Sequence, residues 1–154
     1  EGQRVRATVL VSECMGQASM AKTFTPLLGV ELVLEPGTNK IPVDAGMEHG
    51  LMLVAGDVVV AGQGMETSSL HYFEVGEAEL EIIVSKTATM MLLGGEPLQE
   101  KILMWWNFIG RTHEDIATAR SQWNKREARF GSFEDNVGGW IPAPDLPNIH
   151  LKPR

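Results

Sequence analysis

Residues 92–116 read LLGGEPLQEKILMWWNFIGRTHEDI, and the chain changes character inside this stretch. Gly94-Gly95 reads as a turn, because glycine reaches the positive φ that tight turns require. Beyond it, Ile102 to Ile109 is apolar on both parities, which predicts a strand covered on both faces. Adjacent side chains of a strand point to opposite faces, so at most one of Trp105 and Trp106 would line any cavity, and core packing is the expected role of the pair. Thr112 and Asp115 then form a capping box, in which the hydroxyl accepts the Asp115 N–H while the carboxylate reaches back. A helix is therefore predicted from this point. Ile116, Ala119 and Trp123 fall on one stripe at helical spacing; Glu114 and Asp115 suit the first turn, and Lys125, Arg126 and Arg129 the last. Gly131 is the expected stop. The tail, with Pro142, Pro144, Pro147 and Pro153, predicts extended chain laid over the preceding β structure and anchored by Trp140, Ile141 and Leu146.

Upstream, almost every segment reads as a short strand. Val5, Ala7, Val9 and Val11 alternate with Arg4, Arg6 and Thr8, the period of two that gives one buried face. Similar runs occupy Gly29 to Leu34, His49 to Val54, Asp57 to Ala61, Ser69 to Phe73, Glu79 to Val84 and Thr89 to Leu93. They are punctuated by Glu35-Pro36-Gly37, Gly46, Gly56, Gly62-Gln63-Gly64 and Gly76. Many short strands at this spacing predict an antiparallel sandwich or barrel.

Composition narrows the possible partners. The 154 residues carry 13 Lys and Arg against 20 Asp and Glu, a net charge of -7. Residues 1–100 hold 5 basic and 14 acidic side chains, whereas residues 101–154 hold 8 and 6. Acidity of this size disfavours nucleic acid and anionic membrane surfaces as partners. No run free of Asp, Glu, Lys and Arg exceeds nine residues, against the roughly 20 apolar residues of a spanning helix. At 44% hydrophobic residues the chain can bury a core. Its one thiol, Cys14, cannot form an internal disulfide, which fits a reducing, cytoplasmic setting. A lone cysteine of this kind is expected to be a small buried hydrophobe.

The stretch from Leu92-Leu93-Gly94-Gly95-Glu96-Pro97-Leu98 through Glu100, Trp105-Trp106-Asn107-Phe108-Ile109 and Thr112-His113-Glu114-Asp115-Ile116 resembles the carboxy-terminal half of pirin-family proteins. Thr23-Phe24-Thr25-Pro26-Leu27, Glu35-Pro36-Gly37, Arg129-Phe130-Gly131 and the Pro-rich ending are similar to the same family. The resemblance covers nearly the whole chain. It implies a double-stranded β-helix, the cupin jelly roll, occurring as the second of two such barrels. It also implies that iron or another divalent metal, and the chemistry, belong to the first barrel.

The cupin metal pattern can be tested on this chain residue by residue. Its first motif, Gly-x5-His-x-His-x3-Glu-x6-Gly, fits the frame of Gly37 and Gly56, which places Val43 and Ala45 in the two His slots and His49 in the Glu slot. The second motif, Gly-x5-Pro-x-Gly-x2-His, aligns Gly76 with its last Gly, Glu74 with its Pro and Glu79 with its His. Only His49 and Glu79 remain as weak candidate ligands, and a protein-bound iron or zinc usually takes three or four donors. Glu79 runs in step with Glu77 and Glu81, opposite Ala78, Leu80, Ile82 and Val84, so its carboxylate is expected to face water. His49 shares parity with Leu51 and Leu53, which predicts a core or rim histidine. His71, His113 and His150 are isolated in sequence, and His113 is expected at the surface. Gly62-Gln63-Gly64 and Gly94-Gly95 match no phosphate loop.

These readings predict an all-β cupin jelly roll over residues 1–110, with one carboxy-terminal α-helix and an extended tail over 111–154 packed on the same domain. No catalytic, cofactor-binding or metal-binding residue is expected in this chain. The resemblance implies a metal-free second barrel that supports the first one in a quercetin 2,3-dioxygenase or a transcriptional co-regulator. The expected partners are the upstream cupin half or a second copy of the chain. Two other readings stand beside this one: a stand-alone protein-binding module acting through the barrel mouth or through the helix face, where Arg120, Lys125, Arg126 and Arg129 would meet the partner, or a divergent metal-dependent dioxygenase using His49 and Glu79.

Overall fold

The computed structural model describes residues 5–131 and 139–153; Arg4 of the first alternating run lies outside them. By their internal contacts the residues fall into two units, Glu1–Pro97 and Leu98–Arg154.

In the first unit the Val5 to Val11 alternation becomes β1 (Val5–Val11), whose odd residues are half-buried, with Val5, Ala7 and Val9 packed on the core. A short hairpin follows, β2 (Glu13–Cys14) and β3 (Gln17–Ala18), turned by Met15-Gly16, both at positive φ, the geometry that suits a two-residue loop. Then come β4 (Leu27–Leu34), β5 (Gly37–Pro42), β6 (Glu48–Val60), β7 (Gln63–Gly64), β8 (Leu70–Phe73) and β9 (Glu79–Gly95). All pairings are antiparallel, in the order β1-β4-β9-β6-β7, with β5 also on β9 and β8 also on β6. The 17-residue β9 organises the unit. Its first part pairs with β5 and the end of β6, and its last part with β4 and the start of β6. Alternate residues along it, Leu80, Ile82 and Val84, then Ala88, Met90 and Leu92 past the exposed Lys86, enter one core with Val30, Leu32, Leu34, Ile41, Leu51, Leu53, Val58 and Val60. This mostly-β arrangement is the expected jelly roll.

Several boundaries differ from the sequence reading. His49–Val54 and Asp57–Ala61 are one strand, β6, and Glu79–Val84 and Thr89–Leu93 are one strand, β9. Gly56 bends β6 without breaking it: φ is 109°, and a Cβ there would lie 2.6 Å from the Cα of Ala88, so the two backbones approach as only glycine allows. Gly94-Gly95 is not a turn but the last two residues of β9, paired with both β4 and β6. β5 carries no alternation signal in sequence because one of its two inward positions is Asn39, a polar residue. Its amide nitrogen donates to the carbonyls of Glu35 and Gly37 at 3.0 and 3.2 Å, which is why it can be buried.

The second unit is built on aromatic packing. Ile102 to Ile109 is not one two-sided strand but a hairpin, β10 (Leu103–Trp105) and β11 (Phe108–Gly110), with Trp106 at φ 51° in its turn. The turn defeats strict alternation, so both tryptophans join the cluster of Leu103, Phe108, Ile116 and Ala143. Met104 and Ile109, a cross-strand pair, are left 67% and 64% exposed.

The capping box forms as expected, with Asp115 N–H donating to Thr112 Oγ1 at 3.1 Å and Thr112 N–H to Asp115 Oδ2 at 2.9 Å. It opens α1 (His113–Asn124), whose Ile116, Ala119 and Trp123 face the cluster. The helix ends before Lys125, Arg126 and Arg129 and well short of Gly131. Its stop is Arg126 at φ 57°, whose N–H donates to the Trp123 carbonyl while that of Glu127 donates to Gln122, a Schellman motif with arginine in the usual glycine position. Gly131 instead closes a 3-10 turn at Ala128–Phe130.

The tail is extended and attached mainly through its backbone. Trp123 Nε1 donates to the Ile141 carbonyl at 2.9 Å, and Asn124 exchanges two hydrogen bonds with Ala143. Trp140 stacks on Trp123 at 4.1 Å and Leu146 packs on the cluster. The Ile141 side chain, an expected anchor, is 67% exposed.

Candidate functional site

Register determines what stands at the end of the jelly roll. Leu28 on β4 pairs with Gly94, Gly94 with His49 on β6, and His49 with Phe73 on β8. This row shares the parity of the core residues Val30, Leu92 and Leu51, so it faces inward; one residue beyond it β4, β9 and β6 all end. Gly94 makes the row possible. A Cβ on it would lie 2.9 Å from His49 Cδ2 and 3.2 Å from Leu28 Cβ, so the imidazole edge and Leu28 meet over its bare Cα.

His49 is 1% exposed, and neither ring nitrogen has a hydrogen-bond partner among the described residues. Burial pushes its pKa below the ordinary value, against the opposing pull of the Asp44 carboxylate. At neutral pH the ring is therefore uncharged, presenting one donor and one acceptor. Leu28 also forms a wall of a cleft of about 440 Å³, lined besides by residues 12–16, Leu27, Pro42, Val43, Asp44 and Met47. Cys14 is buried there, and burial raises its thiol pKa, so it is a neutral thiol rather than a nucleophile.

The other motif positions supply no donor to this end. Val43 packs against the core and its N–H donates to the Ala78 carbonyl; Ala45 is exposed and its carbonyl accepts the Gly76 N–H. Glu79 lies on the outer face, exposed like Glu77 and Glu81, in an ion pair with Lys40 at 2.8 Å. His49 and Glu79 are thus not brought together: one faces the core beside Gly94, the other faces water beside Lys40. Among the described residues no three His, Cys, Asp or Glu side chains cluster as a metal site would need. The residues at the cupin motif positions do not fit the metal that the fold class holds elsewhere.

One histidine pair was invisible in sequence. His113 is half-buried rather than at the surface; its ring stacks on His150 at 4.7 Å, and its Nδ1 accepts the Leu151 N–H at 3.2 Å. Thirty-seven residues separate the two, so no spacing signal could have joined them.

Residues 29–131 match the pirin C-terminal cupin domain. The chain belongs to the pirin family. It is similar to a Pseudomonas aeruginosa protein named, provisionally, as a quercetin 2,3-dioxygenase, with 32% identity over 94% of this chain and 46% of that protein. A pirin-like protein of Caulobacter vibrioides is 28% identical over 94% of this chain and 49% of its own length. Among solved structures, a quercetin 2,3-dioxygenase from Acinetobacter baumannii superposes with a TM-score of 0.84 and 37% identity, over 97% of this chain and 50% of that one. This pirin-family chain spans about half the length of these relatives.

Proposed function

We propose that this chain serves as the metal-free, structural second barrel of a pirin-like bicupin, whose first barrel carries iron or another divalent metal. The whole protein would be a quercetin 2,3-dioxygenase or a transcriptional co-regulator. The observation that carries this reading is the identity and direction of the residues at the cupin ligand positions: Val43 and Ala45 offer no donor, and Glu79 is turned outward onto Lys40. His49 alone is one donor where three or four are required.

A docking surface supports the same reading. On the outer face of the sheet, Tyr72 and Leu93 flank Gly50 in one row and Leu70 follows in the next. All three are 43–53% exposed. With relatives carrying about as much chain again, the occupant we assign to this apolar face is the other cupin half. The protein-binding alternative through the helix face loses support because the arginines in α1 and just after it are already engaged. Arg120 holds the Pro144 carbonyl and Asp145, Arg126 lies over Trp140, and Arg129 holds Gln122.

The test is elemental analysis of the purified chain beside its complex with an amino-terminal half from a relative. The expected result is metal only in the complex and quercetin oxidation only there. About one transition metal per isolated chain would overturn the reading.

A further inference from the structure

The stretch Thr23-Phe24-Thr25-Pro26-Leu27, conspicuous in the sequence, takes no part in the jelly-roll core, which resumes only at Leu28. It lies in an arm, residues 19–26, that joins β3 to β4 with both ends pinned. At one end the Ser19 N–H donates to the Ser12 carbonyl and its Oγ to the Leu10 carbonyl, both at 2.8 Å, while the Ala21 N–H donates to Ser19 Oγ at 3.1 Å. At the other end the Glu96 N–H donates to the Pro26 carbonyl at 3.4 Å. Between these anchors Lys22, Thr23, Phe24 and Thr25 make no hydrogen bond among the described residues, and Met20 and Phe24 are each 99% exposed. Single apolar residues at a surface are ordinary. A phenylalanine, however, offers about 150–250 Å² for burial, and this one stands wholly in water on a short arm whose two feet are fixed.

The arm also continues a face that needs covering. Leu27 follows Pro26 directly, points outward on β4, and lays its Cδ2 over Gly95, 3.2 Å from where a Cβ would stand. Leu93 points outward too, paired with Gly29, and the row runs on through Gly50 to Tyr72. Leu27, Leu93 and Tyr72 are all exposed, so the apolar side of the sheet leads into the arm. Lys22 is the one charged residue between Glu13 and Glu31, which keeps the desolvation cost of covering this stretch small. The occupant follows from the length of the relatives. They carry about as much chain again in the same polypeptide, and a tethered half meets the arm at about millimolar effective concentration, where a separate copy would compete only at similar levels.

We infer, on the bicupin reading of the whole protein, that residues 19–26 are a clasp for the other cupin half, with Met20 and Phe24 seated in an apolar recess on that half and Leu27 linking the clasp to the Leu93 and Tyr72 face.

Lys22 makes the test direct, because it is the only Lys or Arg between Arg6 and Lys40. Limited trypsin digestion, read by mass spectrometry, compares the isolated chain with its complex with the amino-terminal half of the Pseudomonas aeruginosa relative. The expected result is rapid cutting after Lys22 in the isolated chain and roughly tenfold slower cutting in the complex. Met20→Ser with Phe24→Ser should weaken complex formation about ten- to a hundredfold, the worth of burying one such side chain. The denaturation midpoint of the isolated chain should not move, since neither side chain packs on its core. A complex that forms with Lys22 still cut at the isolated rate, or that the double serine variant forms undiminished, overturns the clasp and leaves the bicupin reading standing. Absence of any complex overturns that reading and the clasp with it. Equal protection of Lys22 in the isolated chain at high concentration gives the arm to a second copy and overturns the other half as its partner.

Discussion

At the residue scale, Gly94 and His49 work as a pair. Gly94→Ala should destabilise by about 1–3 kcal/mol, the usual cost of forcing a methyl into a packed site, because the new Cβ meets His49 Cδ2 at 2.9 Å and Leu28 at 3.2 Å. Combining it with His49→Ala should recover much of the loss; additive losses in urea denaturation would show that the two do not share this space. The same histidine makes stability depend on pH. Its folded pKa lies below the unfolded value, near 6.5, so the unfolded chain binds the extra proton first. Stability is therefore complete above about pH 6.5 and declines as pH falls from there toward the folded pKa. His49→Phe should remove that part of the slope, measured by denaturation midpoints between about pH 5 and 8; an unchanged slope would assign it to other groups.

At the element scale, α1 separates capping from packing. Thr112→Ala removes the acceptor of the Asp115 N–H and should cost about 0.5–2 kcal/mol. Trp123→Ala removes edge contacts to Trp106, Phe108 and Phe130, the stack on Trp140 and the bond to the Ile141 carbonyl. It should cost about 3–5 kcal/mol, and comparable losses for the two variants in guanidinium titrations would mean that the aromatic cluster does not hold the helix. The helix start was readable because a capping box is local: donor and acceptor sit three residues apart. Its end is not legible, because Gly131 is the residue type expected there while the chain instead bends at Arg126, whose left-handed conformation has no sequence signal of its own. The turn at Trp106 is hidden for the same reason.

At the scale of the whole molecule, the family match and the half-length coverage of relatives lead to an expectation about assembly. The isolated chain exposes Leu70, Tyr72 and Leu93 on one sheet face, and soluble monomers rarely leave larger contiguous apolar patches open. Sedimentation of the isolated chain should show self-association that the amino-terminal half of a relative suppresses by forming a heterocomplex. Leu93→Asp with Tyr72→Asp should abolish both associations while leaving the circular dichroism spectrum unchanged. A monodisperse monomer that ignores that half would remove the docking role from this face.

The strand alternation from Val5 onward, the Thr112 capping box, the family resemblance and the motif slots at Val43, Ala45, His49 and Glu79 were all legible in the amino-acid order, because each depends on residue type and short spacing. The continuity of β6 and β9 was not, since glycine signals a turn in sequence whether it ends a strand, bends it at Gly56 or clears room for a neighbour at Gly94. Nor could sequence place His113 against His150, or His49 inward with both nitrogens unpartnered. Only pairing between strands distant along the chain brings Leu28, Gly94, His49 and Phe73 into one row, and it is that long-range register that buries the His49 ring beside a glycine.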